Sequence, residues 1–135
     1  MEFNIRLLND SDYDNTLVNW WKDWEWTAPP KEYLPDNGLG GFIVSKGDVD
    51  ICAGFVYFSN SKLAWSEFII SNKNYKEEDR SQAIEYLIDT ICLSAKDAGY
   101  LSIWTCVYNE HLVKKYENCG FKKTDSSATE MIKVL

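Results

Sequence analysis

Residues 80–108 read RSQAIEYLIDTICLSAKDAGYLSIWTCVY, an amphipathic stretch that runs through Gly99 into an apolar one. Ile84, Leu87, Ile88, Ile91, Ala95 and Ala98 recur at three- and four-residue spacing, which predicts a helix over 80–98 that Gly99 ends. The run at 100–108 is apolar at both alternating sets of positions, the pattern of a central strand covered on both faces. Upstream, LAWSEFIIS at 63–71 is rich in aromatic and β-branched side chains and predicts another strand. Strand, helix and strand in that order form a right-handed crossover, so the two strands run parallel in one sheet.

Working outward, FIVS at 42–45 and VDICAGFVYFS at 49–59 are separated from each other and from 63–71 by Gly-Asp and Asn-Ser turn signals. The three segments predict an antiparallel meander. FNIRLL at 3–8 alternates like a short strand, and Asn9, Asp10, Ser11 and Asp12 offer N-cap oxygens for a helix after it. In that helix Leu17, Trp20, Trp21 and Trp24 share one face and predict core packing. Pro29 and Pro30 stop it, and Asn37, Gly38, Gly40 and Gly41 mark a turn. Downstream, Leu112, Val113 and Tyr116 lie on one side of a short helix over 110–119 that Gly120 ends, and strands near 121–124 and 127–134 close the chain. The predicted order is β α (short α) β β β α β α β β. This is an α+β fold: one mixed, mostly antiparallel sheet of six to seven strands with helices on both faces. The 135 residues suit a single domain spanning 1–135.

Composition narrows the partners. A net charge of −7 disfavours nucleic acid and favours a cationic partner such as an amine. No apolar stretch approaches the roughly 20 residues of a membrane span, and acids in the first residues replace the basic-then-apolar order of a secretory signal, so a cytoplasmic location is expected. Cys52, Cys92, Cys106 and Cys119 form no C-x-x-C pair and His111 is the single histidine, so no zinc signature is present. The cysteines read as small, reduced hydrophobes.

The element order, together with N-x6-Y-E-x-x-G-F at Asn109, Tyr116, Glu117, Gly120 and Phe121, resembles the GNAT superfamily of acetyl-CoA-dependent N-acyltransferases. That resemblance implies acetyl-CoA as cofactor, Asn109 as a contact to its pantetheine arm, and Tyr116 as both a cofactor contact and the general acid. A tyrosine with a pKa near 10 is protonated at neutral pH and can donate to a departing thiolate. The structural alternative is that Asn109 caps its helix and Tyr116 packs on the sheet.

The resemblance also implies a diphosphate-binding turn, in the family Q/R-x-x-G-x-G/A, at the start of the long helix. Here it reads Arg80, Ser81, Gln82, Ala83, Ile84, Glu85. Ala83 stands for the first glycine and Glu85 for the second small residue, a departure that repels a diphosphate unless its carboxylate points away. Lys73, Lys76 and Arg80 supply local positive charge. A solvated helix entry capped by Asp79 is the alternative. Phe68, Ile69, Ile70 and Ser71 correspond by resemblance to the edge along which pantetheine lies, with a backbone N–H near Ile70 polarising the thioester carbonyl.

Some relatives carry a basic glutamate five residues before the asparagine; Trp104 stands there, so Glu67 is the candidate base, with His111 a remote one. Trp26 and Tyr33, beyond the tryptophan helix, are the candidate acceptor wall. The function expected is transfer of acetyl to a primary amine, small molecule or peptide, in a ternary complex, by a monomer or homodimer. The alternatives are a catalytically silent CoA-binding or regulatory module and an aromatic groove that binds a sugar or peptide. Short length and the tryptophan run are also similar to small phage-encoded GNAT-like proteins.

Overall fold

The computed structural model describes residues 2–124 and 127–135. The meander forms as predicted: β2 (Gly41–Lys46), β3 (Val49–Phe58) and β4 (Leu63–Ser71) pair antiparallel, β1 (Asn4–Leu7) adds antiparallel to β2, and β5 (Ser102–Trp104) pairs parallel to β4. The sheet order is β1-β2-β3-β4-β5. Between β4 and β5 runs α2 (Arg80–Asp97), with Gly99 at φ +92° just beyond its end.

Two cores flank this sheet. On one face Leu87, Ile88 and Ile91 of α2 are fully buried against Val44, Ile51 and Cys52, and Tyr116 of α3 (Glu110–Asn118) joins them. Burying each such aliphatic side chain contributes about 1.5–3 kcal/mol. On the other face Leu17, Trp20 and Trp21 pack on Ile43, Phe55 and Ile70, carried by a π-helical turn (Tyr13–Leu17) and α1 (Val18–Asp23). Two short 3₁₀ turns, Lys31–Tyr33 and Pro35–Gly38, lead into β2.

Two expectations are corrected. The described sheet has five strands rather than six to seven: residues 121–124 and 127–135 lie in no strand, and 125–126 fall outside the described residues. The strand expected over 100–108 shrinks to Ser102–Trp104 and forms an edge instead of a centre. Only three ladder positions are therefore offered to anything beyond it. Trp24, the C-cap of α1, is partly buried and packs against the Trp20–Trp21 core as its spacing predicts. The polar residues after β1 cap as expected: the Asn9 side-chain oxygen accepts the Ser11 N–H at 3.1 Å, while Asp12 accepts the Asn9 N–H at 2.7 Å and both Arg6 guanidinium donors at 2.8 and 2.9 Å.

One irregularity shapes the site. Ala53 pairs with Ile70 and Phe55 with Glu67, so Phe68 and Ile69 together face the single residue Gly54. This is a β-bulge, and its first residue, Phe68, is left-handed at φ +58°. Packing opposite the bulge is close: a Cβ at Gly54 would lie 2.8 Å from Ile69 Cδ1 and 3.3 Å from Ile91 and Leu87 methyl groups. A bulge bends its strand. β4 and β5 share only the pairs Leu63–Ser102, Ala64–Ile103 and Trp65–Trp104, all before the bulge.

Candidate active site

The parting of β4 from β5 brings the predicted residues together. After Trp65, the Ser66 carbonyl accepts from the Thr105 hydroxyl at 2.7 Å in place of a ladder bond. Residues 67–71 then have no strand partner on that edge among the described residues. Beneath the point of divergence the Ser66 and Tyr116 hydroxyls lie 2.9 Å apart. Burial pushes the Tyr116 hydroxyl above its ordinary range, the Ser66 and Thr105 hydroxyls pull it part of the way back, and the Glu67 charge adds to the rise. Tyr116 is thus protonated at neutral pH and held rigidly, with Phe121 edge-on to its ring at 4.8 Å.

Alternation along β4 sends the next residue to the opposite face. Glu67 is half-buried there and accepts from the Trp65 indole N–H at 2.9 Å. Burial raises its carboxyl above the usual range, opposed by the Trp65 and Phe68 N–H donors and reinforced by the charge of Glu130. A carboxyl raised in this way is a stronger base once ionised.

The start of α2 is uncapped. Asp79 stands at the cap position but makes no cap bond; its carboxylate instead meets Lys46 Nζ at 2.5 Å and the Tyr75 hydroxyl at 2.8 Å. No acceptor among the described residues meets the N–H groups of Ser81 and Gln82. Glu85 is turned away: its carboxylate accepts from Asn118 at 2.8 Å, on the α3 side. Ala83 and Ile84 are buried in the core. Arg80 and Lys73 lie 5.9 and 5.3 Å from the Trp24 ring centre, and the Trp24 indole donates to the Ser71 carbonyl at 2.8 Å, tying this cationic cluster to the end of β4. Lys76 is exposed.

Other predicted residues sit apart. Asn109 caps α3, its side-chain oxygen accepting from the His111 and Leu112 N–H groups at 2.8 and 3.3 Å, which leaves its amide hydrogens as remaining donors. His111 is exposed in the first turn of α3. Cys119 gives its thiol to the Glu85 carbonyl, and burial with nearby Asp89 and Glu85 pushes it up to about 12, so it is a neutral packing group. Trp26, 51% exposed, stacks on Trp24 at 5.4 Å, and Tyr33 contributes its carbonyl to the Tyr57 hydroxyl.

Neither Trp26 nor Tyr33 lines the main groove on the α1 face. That groove, of about 590 Å³, is walled by Pro35, Tyr57, Phe58, Leu63, Trp65 and Trp104. Sequence reasoning missed Tyr57, Trp65 and Trp104. The signal was present: alternation puts Trp65 and Glu67 on one face, and a cross-strand neighbour on each side adds Tyr57 and Trp104.

No family model matches this sequence, and no curated protein sequence does. Solved structures match closely in fold. An aminoglycoside acetyltransferase from an uncultured soil metagenomic sample, in complex with sisomicin, superposes with a TM-score of 0.73 at 11% identity over 98% of this chain and 97% of that one. AAC(6')-Iy in complex with a CoA-containing bisubstrate analogue gives 0.68 at 15% identity over 99% and 100%. Glucosamine-6-phosphate N-acetyltransferase from Arabidopsis thaliana gives 0.62 at 14% over 98% and 100%. The fold is that of the GNAT acetyltransferases. Among the described residues no helix is long and apolar enough to cross a membrane.

Proposed function

We propose that residues 1–135 act as one catalytic domain, an N-acetyltransferase that takes acetyl from acetyl-CoA to a primary amine within a ternary complex. The observation that carries this reading is the divergence of β4 from β5 with a protonated Tyr116 on one side of the gap and a half-buried Glu67 on the other. The residues present fit the cofactor. The free edge at 68–71 offers backbone groups to an extended pantetheine chain, as to an added strand. The uncapped N–H groups of Ser81 and Gln82, at the positive end of α2 and beside Arg80, suit a diphosphate. Glu85, bound to Asn118, leaves that turn without a carboxylate facing it.

Acetyl-CoA supplies an acyl thioester whose C–S bond breaks as the N–C bond forms. Glu67 takes the proton the amine loses, directly or through water. A backbone N–H within 69–71 stabilises the carbonyl oxygen as charge develops on it. Tyr116 donates its proton to the departing sulfur and recovers it from solvent through the gap. Asn109 donates its remaining amide hydrogens to the pantetheine arm.

Thermal unfolding of the full chain with and without acetyl-CoA tests this reading first. A ligand at 100 times its Kd stabilises a fold by roughly 2.7 kcal/mol. The expected result is a raised Tm with acetyl-CoA and a smaller rise with fragments that lack the diphosphate. An unchanged Tm at millimolar acetyl-CoA overturns it.

A further inference from the structure

We infer that the groove beside Glu67 selects an amine carried on a flat aromatic body, an arylalkylamine, over a polyhydroxylated aminosugar or a linear polyamine. This rests on the reading above for where the amine reacts, but its own evidence is the chemistry of the groove wall.

The wall presents ring faces. Trp65 and Trp104 meet edge to face at 4.3 Å, Tyr57 lies directly across the ladder from Trp65, and Phe58 is braced by stacking on Tyr100 at 5.2 Å. Trp104 and Phe58 remain 48% and 51% exposed despite their size, so about half of each ring awaits cover. The volume of about 590 Å³ falls in the range of small-molecule sites, roughly 300–1,000 Å³, and well below what a folded partner needs.

Apart from the Asp36 carboxylate, most of the side-chain polar groups of the same wall already bond within the protein. Ser59 and Ser61 hydroxyls bond each other at 2.9 Å, and Ser59 also donates to the Leu63 carbonyl at 2.6 Å. The Tyr57 hydroxyl donates to the Tyr33 carbonyl at 2.8 Å and the Trp65 indole to Glu67. A sugar ring brings many hydroxyls that each need a partner, and desolvating them without one costs about 1–3 kcal/mol apiece. This wall cannot repay that.

Charge sets the other half of the preference. Asp36 lines the groove and its carboxylate makes no bond to another described residue; Asp36 and Asn37 both adopt left-handed backbone, at φ +50° and +54°. Glu67 adjoins the opposite end through Trp65, close enough that its charge adds to the burial that pushes the Tyr57 hydroxyl up to about 12. A cation is attracted by both carboxylates and by the ring faces. One ammonium with a planar apolar body satisfies every feature; a polyamine supplies charge but leaves the rings uncovered.

Binding to the full chain by isothermal titration calorimetry, with no acetyl-CoA present, tests the inference independently of any acyl transfer. The probes are 2-phenylethylamine, 2-phenylethanol, spermidine and neamine. 2-Phenylethylamine is expected to bind at least tenfold more tightly than each of the others, and Trp104→Ala, at an exposed edge position, to weaken it tenfold or more while circular dichroism is unchanged. Asp36→Asn is expected to cost about threefold, as for a partly solvated ion pair. Tighter binding of neamine or spermidine, equal binding of 2-phenylethanol, an affinity unmoved by Trp104→Ala, or no binding by any probe overturns it. Loss of acetyl-CoA binding with 2-phenylethylamine binding intact would defeat the proposed reaction alone.

Discussion

Ser66 and Glu67 are neighbours on β4 and inhabit different environments. Ser66 points into the core beneath α2 and α3, where its partner is a tyrosine hydroxyl; Glu67 points to the α1 face, half-buried and bound to the Trp65 indole, whose ring lines the groove. The pleat alone produces this division, since consecutive side chains leave a strand on opposite sides. A sheet that splits beside such a pair can receive one reactant along its edge and another from one face. Donor and acceptor of protons then face the same gap without facing each other. Their elevated pKa values have the same first cause, burial, and opposite chemical uses: a tyrosine kept protonated and a carboxyl brought closer to neutrality.

The largest break in this comparison is expected from Glu67→Gln. Gln keeps an acceptor for the Trp65 and Phe68 N–H groups but cannot take a proton, so turnover with an amine acceptor should fall by about 10³-fold. Stability should move the other way. Burial raises the folded-state pKa of Glu67 above its unfolded value, so the folded chain holds this proton more strongly. The wild type therefore loses stability as pH rises from the unfolded carboxyl value, about 4.3, through the raised folded one, and the loss is complete above it. Tm profiles of the two proteins should coincide in acid and separate toward neutrality, with the Gln variant higher. A Gln variant that melts lower at pH 7 would show that the charge of Glu67 stabilises the fold, against its reading as a carboxyl strained for use.

Tyr116→Phe is expected to come next, with kcat reduced about 10²-fold and KM for acetyl-CoA little changed, the signature of a group that acts in the transition state. The lost hydrogen bond to Ser66 should cost about 1 kcal/mol of stability. Equal losses in kcat and in acetyl-CoA affinity would instead make Tyr116 a binding group.

The helices could be read from periodicity because each buries a single face, and the meander from its β-branched and aromatic runs between turn signals, although β3 is buried on both faces. What could not be read depends on relations between strands. Residues 100–108 look central because they are apolar on both faces, yet Thr105 spends its hydroxyl on the Ser66 carbonyl and the ladder stops at Trp104. No local pattern announces Phe68 in left-handed backbone at a bulge opposite Gly54. The tryptophan run was only partly legible for a related reason. Helical spacing rightly groups Trp24 with Trp20 and Trp21, but it does not show that the outer side of this ring also meets Trp26, Lys73 and Arg80. Asn109 and Tyr116 were legible as a pair by spacing, whereas the aromatic groove required knowing which strands are neighbours.

The finest adjustment of the comparison is Ser66→Ala, which leaves Glu67 untouched and alters only the environment of Tyr116. Ser66 and Thr105 hydroxyls both draw the tyrosine pKa back from the rise that burial causes, and Ser66 has the larger effect of the two. With Ser66 removed, Thr105 remains as a partner and the hydroxyl titrates higher. Activity requires Tyr116 protonated and Glu67 ionised, so the rate climbs with pH through the Glu67 pKa and declines through that of Tyr116. In Ser66→Ala the alkaline limb should move to higher pH while the acid limb stays in place, and the plateau should drop about threefold because a less acidic tyrosine donates less readily. A serine that merely fills space beneath β4 would, when replaced, lower stability and leave both limbs where they were. The position of the alkaline limb therefore separates a proton-donor network from simple packing on the buried face of β4.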